Sequence, residues 1–219
     1  MVNFCWESHS SPCRSNETGS DMKDFIRAFI AMNLPESVLQ LVQQIQLRLK
    51  SMGIRMTWVA PQNVHLTLKF LGDIEPADIE KIAAAISESA VQLSPLLFSA
   101  RGIGVFPDLR MPRVLWLGLT GDIFRLMAFQ KNLEDRLFDI SQGLWKREER
   151  HFKAHLTVGR IKARIDPALL IQAIRELEQV QSDAFTVDTF HLMQSRLTPS
   201  GSIYTTLKQI CLDVPKNCS

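Results

Sequence analysis

His65 and Thr67 stand two residues apart in Val64-His65-Leu66-Thr67-Leu68, and His155 and Thr157 repeat the spacing in Ala154-His155-Leu156-Thr157-Val158. Imidazole takes up or releases a proton near neutral pH, so two of them can supply a base and an acid to one reaction. An in-line displacement at phosphorus asks for that pair. A base must stand behind the attacking group and an acid at the departing oxygen, on opposite sides of the phosphorus. Hydroxyls on the same face as the imidazoles can donate hydrogen bonds to the non-bridging phosphate oxygens.

Strand geometry makes the spacing useful. Side chains alternate between faces with period two. Val64, Leu66 and Leu68 therefore bury one face while His65 and Thr67 share the other, and Ala154, Leu156 and Val158 oppose His155 and Thr157 in the same way. Either copy alone reads as the polar side of a surface strand, because threonine suits strands. Two matched copies in matched contexts point to a duplicated unit with one shared site.

Other chemistries fit the chain less well. Two histidines with no Asp, Glu or Cys on the site faces of their strands make a poor metal set, so neither a metal nor another cofactor is expected. No nucleophile elbow marks a serine hydrolase. Gly102-Ile103-Gly104 lacks the third glycine and the following helix of a dinucleotide fingerprint. Cys5, Cys13, Cys211 and Cys218 lie near the ends without metal-finger spacing and read as free thiols.

Of 219 residues, 46% are hydrophobic and 22% charged, the balance of a globular chain with a real core. A net charge of +2 requires no nucleic-acid partner by itself. The local distribution says more. Seven Lys and Arg residues lie between Lys146 and Arg164, against Glu148 and Glu149, and they flank the second His-x-Thr. That run is either a solvated rim or a field that draws an anionic ligand. No apolar run reaches the roughly 20 residues of a membrane helix, and the start of the chain lacks a basic-then-apolar leader, so a cytoplasmic protein is expected.

The remaining pattern supplies the elements that would hold the motifs. Residues 1–22 and 215–219 read as tails around one domain at 23–214. An apolar strand runs from Phe25 to Asn33. Pro35 opens a helix with its stripe at Val38, Leu41, Val42, Ile45 and Leu49, and Gly53 closes it. After the first motif strand comes a helix with Ile79, Ile82, Ala83, Ile86 and Ala90 on one face. Strands follow at Leu96 to Val105 and Val114 to Leu119, then a helix from about Asp122 to Ile140. The second motif strand precedes a helix opening at Asp166-Pro167, and strands at Ala184 to Gln194 and Ile203 to Leu212 end the chain. The order is repeated, with Val114 to Leu119 opening the second half. This predicts an α+β fold of two pseudo-symmetric lobes of antiparallel sheet, with helices on the outer faces and the active-site cleft between the lobes.

The sequence resembles the two-histidine (2H) phosphoesterase superfamily, and within it the RNA 2′,3′-cyclic phosphodiesterases, also called 2′-5′ RNA ligase-like proteins. Pro61-Gln-Asn-Val-His-Leu-Thr-Leu-Lys-Phe-Leu-Gly72 carries the likeness, with Gly104-Val-Phe-Pro107 and Pro112-Arg-Val-Leu-Trp116. His155-Leu-Thr-Val-Gly-Arg160 and Ser195-Arg-Leu197, with Gly201 and Tyr204, complete it. Ala154 departs from the proline that relatives often carry there. The resemblance implies metal-free hydrolysis of a ribose 2′,3′-cyclic phosphate to a 2′-phosphate. RNA ends or small cyclic nucleotides would be the substrates, and the protein would act as a monomer without membrane contact. By the same resemblance His65 and His155 are the catalytic pair, Thr67 and Thr157 hold the phosphate, Arg160 reaches it and Phe70 contacts the base. His155 would be the base and His65 the acid. Strand parity objects to two of these. Phe70 and Arg160, five residues after each histidine, have the parity of the buried faces unless a bulge or twist turns them inward. Lys69 and Arg196 are further basic candidates. A 2′-5′ RNA ligase running the reverse reaction, or a non-catalytic nucleotide-binding module, would carry the same motifs.

Overall fold

The computed structural model describes residues 24–162, 164–199 and 201–212. The expected tails, with Cys5, Cys13 and Cys218, lie outside them. β1 (Ile26–Met32) leads into α1 (Glu36–Ser51), the two-residue β2 (Thr57–Trp58) and the first motif strand, β3 (Leu66–Ile74). α2 (Ile79–Ser89), β4 (Leu96–Phe106), β5 (Val114–Gly121) and α3 (Ile123–Ile140) follow. β6 (His155–Arg160) is the second motif strand, and α4 (Pro167–Glu176), β7 (Phe185–Val187), β8 (Thr189–Thr198) and β9 (Gly201–Cys211) close the described chain.

The expected α+β fold with antiparallel pairing is what forms, and its two halves are joined. The strands of the described residues belong to one sheet in the order β7-β4-β5-β6-β3-β1-β8-β9, with β2 added beside β6. The motif strands meet at its centre through one antiparallel pair, Leu66 with Leu156. Each half of the chain also lends strands across that centre. β4 pairs with β5 of the second half, and β8 returns to pair with β1 of the first. The expected strand over 184–194 is therefore two strands. β7 stays with β4, and after Asp188 the chain crosses to β1.

One apolar core fixes this arrangement. Val38, Val42, Ile45 and Leu49 of α1, Ile82 and Ile86 of α2, Leu126, Phe129, Leu133 and Leu137 of α3, and Leu170 and Ala173 of α4 pack in a single cluster. Ile30, Leu66, Leu68, Leu115, Leu117, Leu156 and Val158 meet them from the sheet. The four α-helices of the described residues thus cover the same sheet face. α4 starts where the sequence indicates: the Asp166 carboxylate accepts the Ala168 amide at 3.0 Å, and Pro167 fills the first turn, where no amide is needed. Phe29, Ala31 and Met193, with Tyr204 against them, form a separate small cluster on the other face. That face carries the histidines.

Candidate active site

The two motif copies fold alike, residue for residue. From each histidine onward the exposure runs half-buried, buried, half-buried, buried, buried, exposed: His65 to Phe70 and His155 to Arg160. The pair of adjacent buried residues marks a break in alternation. On β3, Thr67 lies opposite Ala31 and Lys69 opposite Ile30, so Leu68 is an extra residue. On β6, Thr157 lies opposite Trp116 and Gly159 opposite Leu115, so Val158 is an extra residue. A bulge of this kind shifts every later side chain to the other face. Phe70 then pairs with Phe29 and Arg160 with Val114, both on the histidine face. The parity objection is thereby removed by the same device in both copies.

The β3 bulge decides one further basic candidate and the β8–β9 register another. Lys69 is turned into the helix layer, 4% exposed, where its ammonium reaches Glu134 at 2.7 Å and the Lys146 carbonyl at 2.6 Å. It is a structural ion pair, not a site residue. Arg196 pairs with Ile203, one position out of phase with the Ser195–Tyr204 pair, and so has the parity away from the histidines.

About the Leu66–Leu156 pair the antiparallel register is a local twofold. His65 and Thr67 flank that pair on one strand, and His155 and Thr157 flank it on the other. Each imidazole is held in the same manner. His65 Nδ1 lies 2.8 Å from the Asn63 carbonyl, and His155 Nδ1 lies 2.7 Å from the Lys153 carbonyl. A carbonyl only accepts, so each Nδ1 carries the proton and each Nε2 is left for chemistry. Phe29 stacks on His65 at 4.8 Å between ring centroids, and Tyr204 meets it edge-on at 5.2 Å. Phe106 meets His155 edge-on at 4.9 Å, and Trp116 packs on Phe106.

Burial is the main reason that both imidazoles titrate below their ordinary value of 6.5. The bonds to the Asn63 and Lys153 carbonyls work against it. Charge separates the two. His65 feels His155, whereas His155 feels the Lys153 ammonium and the Arg160 guanidinium, which favour its neutral form. Lys153 lies with its Nζ 4.1 Å above the Trp116 ring and 5.5 Å from the centroid of Phe106. Gly104 lets that indole lie against β4, since a Cβ there would run into the ring. His191, on β8 opposite Ala31, is buried and also titrates low.

The basic run is therefore divided. Lys153 and Arg160 stand at His155, while Arg147 turns away to Asp135 and lies over Phe138. In the sequence Lys153 is only one member of the basic run, and nothing there marks Phe29, Phe106 or Trp116. Phe29 was hidden because β1 is apolar on both faces. Beyond Phe70 an open groove of about 550 Å³ follows the 144–150 segment. Among the described residues no three His, Cys, Asp or Glu side chains gather where they could hold a metal ion. No helix among them is long and apolar enough to cross a membrane.

Three depressed histidines tie stability to pH. Each binds its proton less readily folded than unfolded, so the unfolded chain takes up more protons below about pH 6.5. Their contribution is complete above that value and is lost as pH falls through the folded values. The urea midpoint should accordingly drop between pH 7.5 and 5.5. A midpoint that holds or rises would contradict the assignment.

A duplicated His-x-Thr pair thus lies on the open face of one antiparallel sheet, with the described helices behind it. The chain belongs to the LigT-like phosphoesterase family, whose model matches residues 30–116 and 126–204. It is 36% identical over 183 residues to an RNA 2′,3′-cyclic phosphodiesterase of Methanothermobacter thermautotrophicus, covering 84% of this chain and 97% of that one. It is 33% identical over 189 residues to the protein of the same name from Aquifex aeolicus, covering 85% and 97%. Among solved structures, TT0787 of Thermus thermophilus superposes with a TM-score of 0.71 at 25% identity, covering 87% of this chain and all of that one. Escherichia coli LigT in complex with 3′-AMP shares the fold at a TM-score of 0.64 and 21% identity, covering 86% and 99%.

Proposed function

We propose that this protein hydrolyses the 2′,3′-cyclic phosphate of an RNA end or a small nucleotide to a 2′-phosphate, without a metal. The observation that carries the reading is the pair of imidazoles about a local twofold, each tied at Nδ1 and presenting Nε2. The relatives named above as RNA 2′,3′-cyclic phosphodiesterases support the substrate class.

In this mechanism His155 Nε2 takes a proton from water as its oxygen attacks phosphorus. The bond from phosphorus to the ribose 3′-oxygen breaks, and His65 Nε2 supplies that oxygen with its proton. A 2′-phosphomonoester and a free 3′-hydroxyl result. Thr67 and Thr157 donate to the non-bridging oxygens, Arg160 balances their charge and Phe70 meets the base. Binding the anionic diester raises the affinity of both imidazoles for protons. His65, beside aromatic rings rather than cations, is the one that charges, while Lys153 and Arg160 keep His155 neutral. The protein works as a monomer, through one domain over residues 23–214, in the cytoplasm.

The test is turnover of an oligoribonucleotide ending in a 2′,3′-cyclic phosphate after exhaustive chelation. Ring opening at an undiminished rate is expected. Activity that disappears on chelation and returns with zinc or manganese would overturn the metal-free mechanism.

A further inference from the structure

Two glutamines lie buried in the apolar layer between helices and sheet: Gln46 on α1, 3% exposed, and Gln130 on α3, 5% exposed. Buried amides are retained where a polar group needs them. The Gln46 side-chain amide donates to the Val158 carbonyl at 3.0 Å and to the Val59 carbonyl at 2.7 Å. The Gln130 amide donates to the Leu68 carbonyl at 3.4 Å. Val158 and Leu68 are the extra residues of the two motif bulges. A bulge disrupts the ladder at its extra residue; the Val158 carbonyl keeps the Val59 amide as a backbone partner at 3.2 Å, and the Gln46 amide is its second donor. The same amide thus serves the same carbonyl in both halves of the molecule. Each comes from the helix that precedes the other half's motif strand: α1 reaches β6, and α3 reaches β3.

The bulges have a consequence at the site. Without the extra residue Phe70 and Arg160 would keep the parity of the buried faces. With it they stand on the histidine face. We propose that Gln46 and Gln130 are positioning residues, which hold the two bulges and so turn Arg160 and Phe70, respectively, toward the substrate. The parts given to Arg160 and Phe70 rest on the function proposed above.

If the amides only satisfied buried carbonyls, removing them would lower stability without favouring either partner. Double-mutant cycles separate the two cases. Gln46→Met keeps the bulk of the side chain and removes the donor. It should raise KM for a 2′,3′-cyclic nucleotide ~10-fold with kcat within ~3-fold, as for lost binding of the diester. In an Arg160→Ala background it should add nothing, while its effect should remain whole beside Phe70→Ala. Gln130→Met should show the reverse pattern. Additivity with both partners would overturn the proposal, even if both variants melt earlier. Gln46→Asn, which keeps the amide but shortens its reach, serves the same cycle if the methionine variant does not fold. A crystal structure of the Gln46 variant decides the matter without turnover. Arg160 displaced from the His155 face is expected, and an unmoved bulge and guanidinium would refute the clamp. Should Arg160→Ala leave KM unchanged, the part given to Arg160 fails, and the crystal structure still judges Gln46.

Discussion

Alanine at either His65 or His155 is expected to lower turnover of a 2′,3′-cyclic nucleotide by ~10²-fold or more while the fold persists, the size of effect that follows loss of a positioned acid or base. Both losses should be large because each histidine does one half of a coupled transfer. Neither can stand in for the other, since each Nδ1 is committed to a backbone carbonyl and only one nitrogen per ring is available. The double variant should be little worse than either single one, as for groups that act as a unit. The measurement is kcat/KM with circular dichroism as the control for folding. Near-normal activity in one single variant would remove the shared site.

The second large effect separates their roles. On a substrate whose 3′-leaving group departs without a proton, His65→Ala should recover most of its lost rate, by ~10-fold or more, whereas His155→Ala should not. The asymmetry lies in their neighbours: Lys153 and Arg160 favour the neutral imidazole at His155, and neither acts so on His65. The acidic limb of kcat/KM should accordingly fall below the ordinary histidine value of 6.5. Rescue of His155→Ala in place of His65→Ala would reverse the assignment, and rescue of neither would make both residues binders of phosphate.

Much of this site was legible from spacing. His65, Thr67, His155 and Thr157 alternate with aliphatic residues, and period-two patterns report faces directly. The helices were legible for the same reason, since Val38, Val42, Ile45 and Leu49 repeat at helical spacing and do pack in the core. Phe70 and Arg160 resisted the argument because one bulged residue inverts everything after it. Its only trace in the sequence is an ordinary pair, Leu68-Lys69 or Val158-Gly159. Lys69 misled because its charge suggested the site, whereas Glu134, far along the chain, supplies the partner that lets it be buried. The continuous sheet was hidden for a similar reason. Exchange of β4 and β8 between halves is a long-range choice of pairing, and local periodicity is silent on which edge a strand joins.

A pair of imidazoles that opens a 2′,3′-cyclic phosphate at its 3′-oxygen must leave a 2′-phosphate. Phosphorus NMR of an oligoribonucleotide 2′,3′-cyclic phosphate turned over by the chelated protein tests it most directly. A single product resonance is expected, that of the 2′-phosphate, which fails to appear with His65→Ala or His155→Ala over the same time. A 3′-phosphate product, or a cyclic phosphate left intact by the unaltered protein, would contradict it.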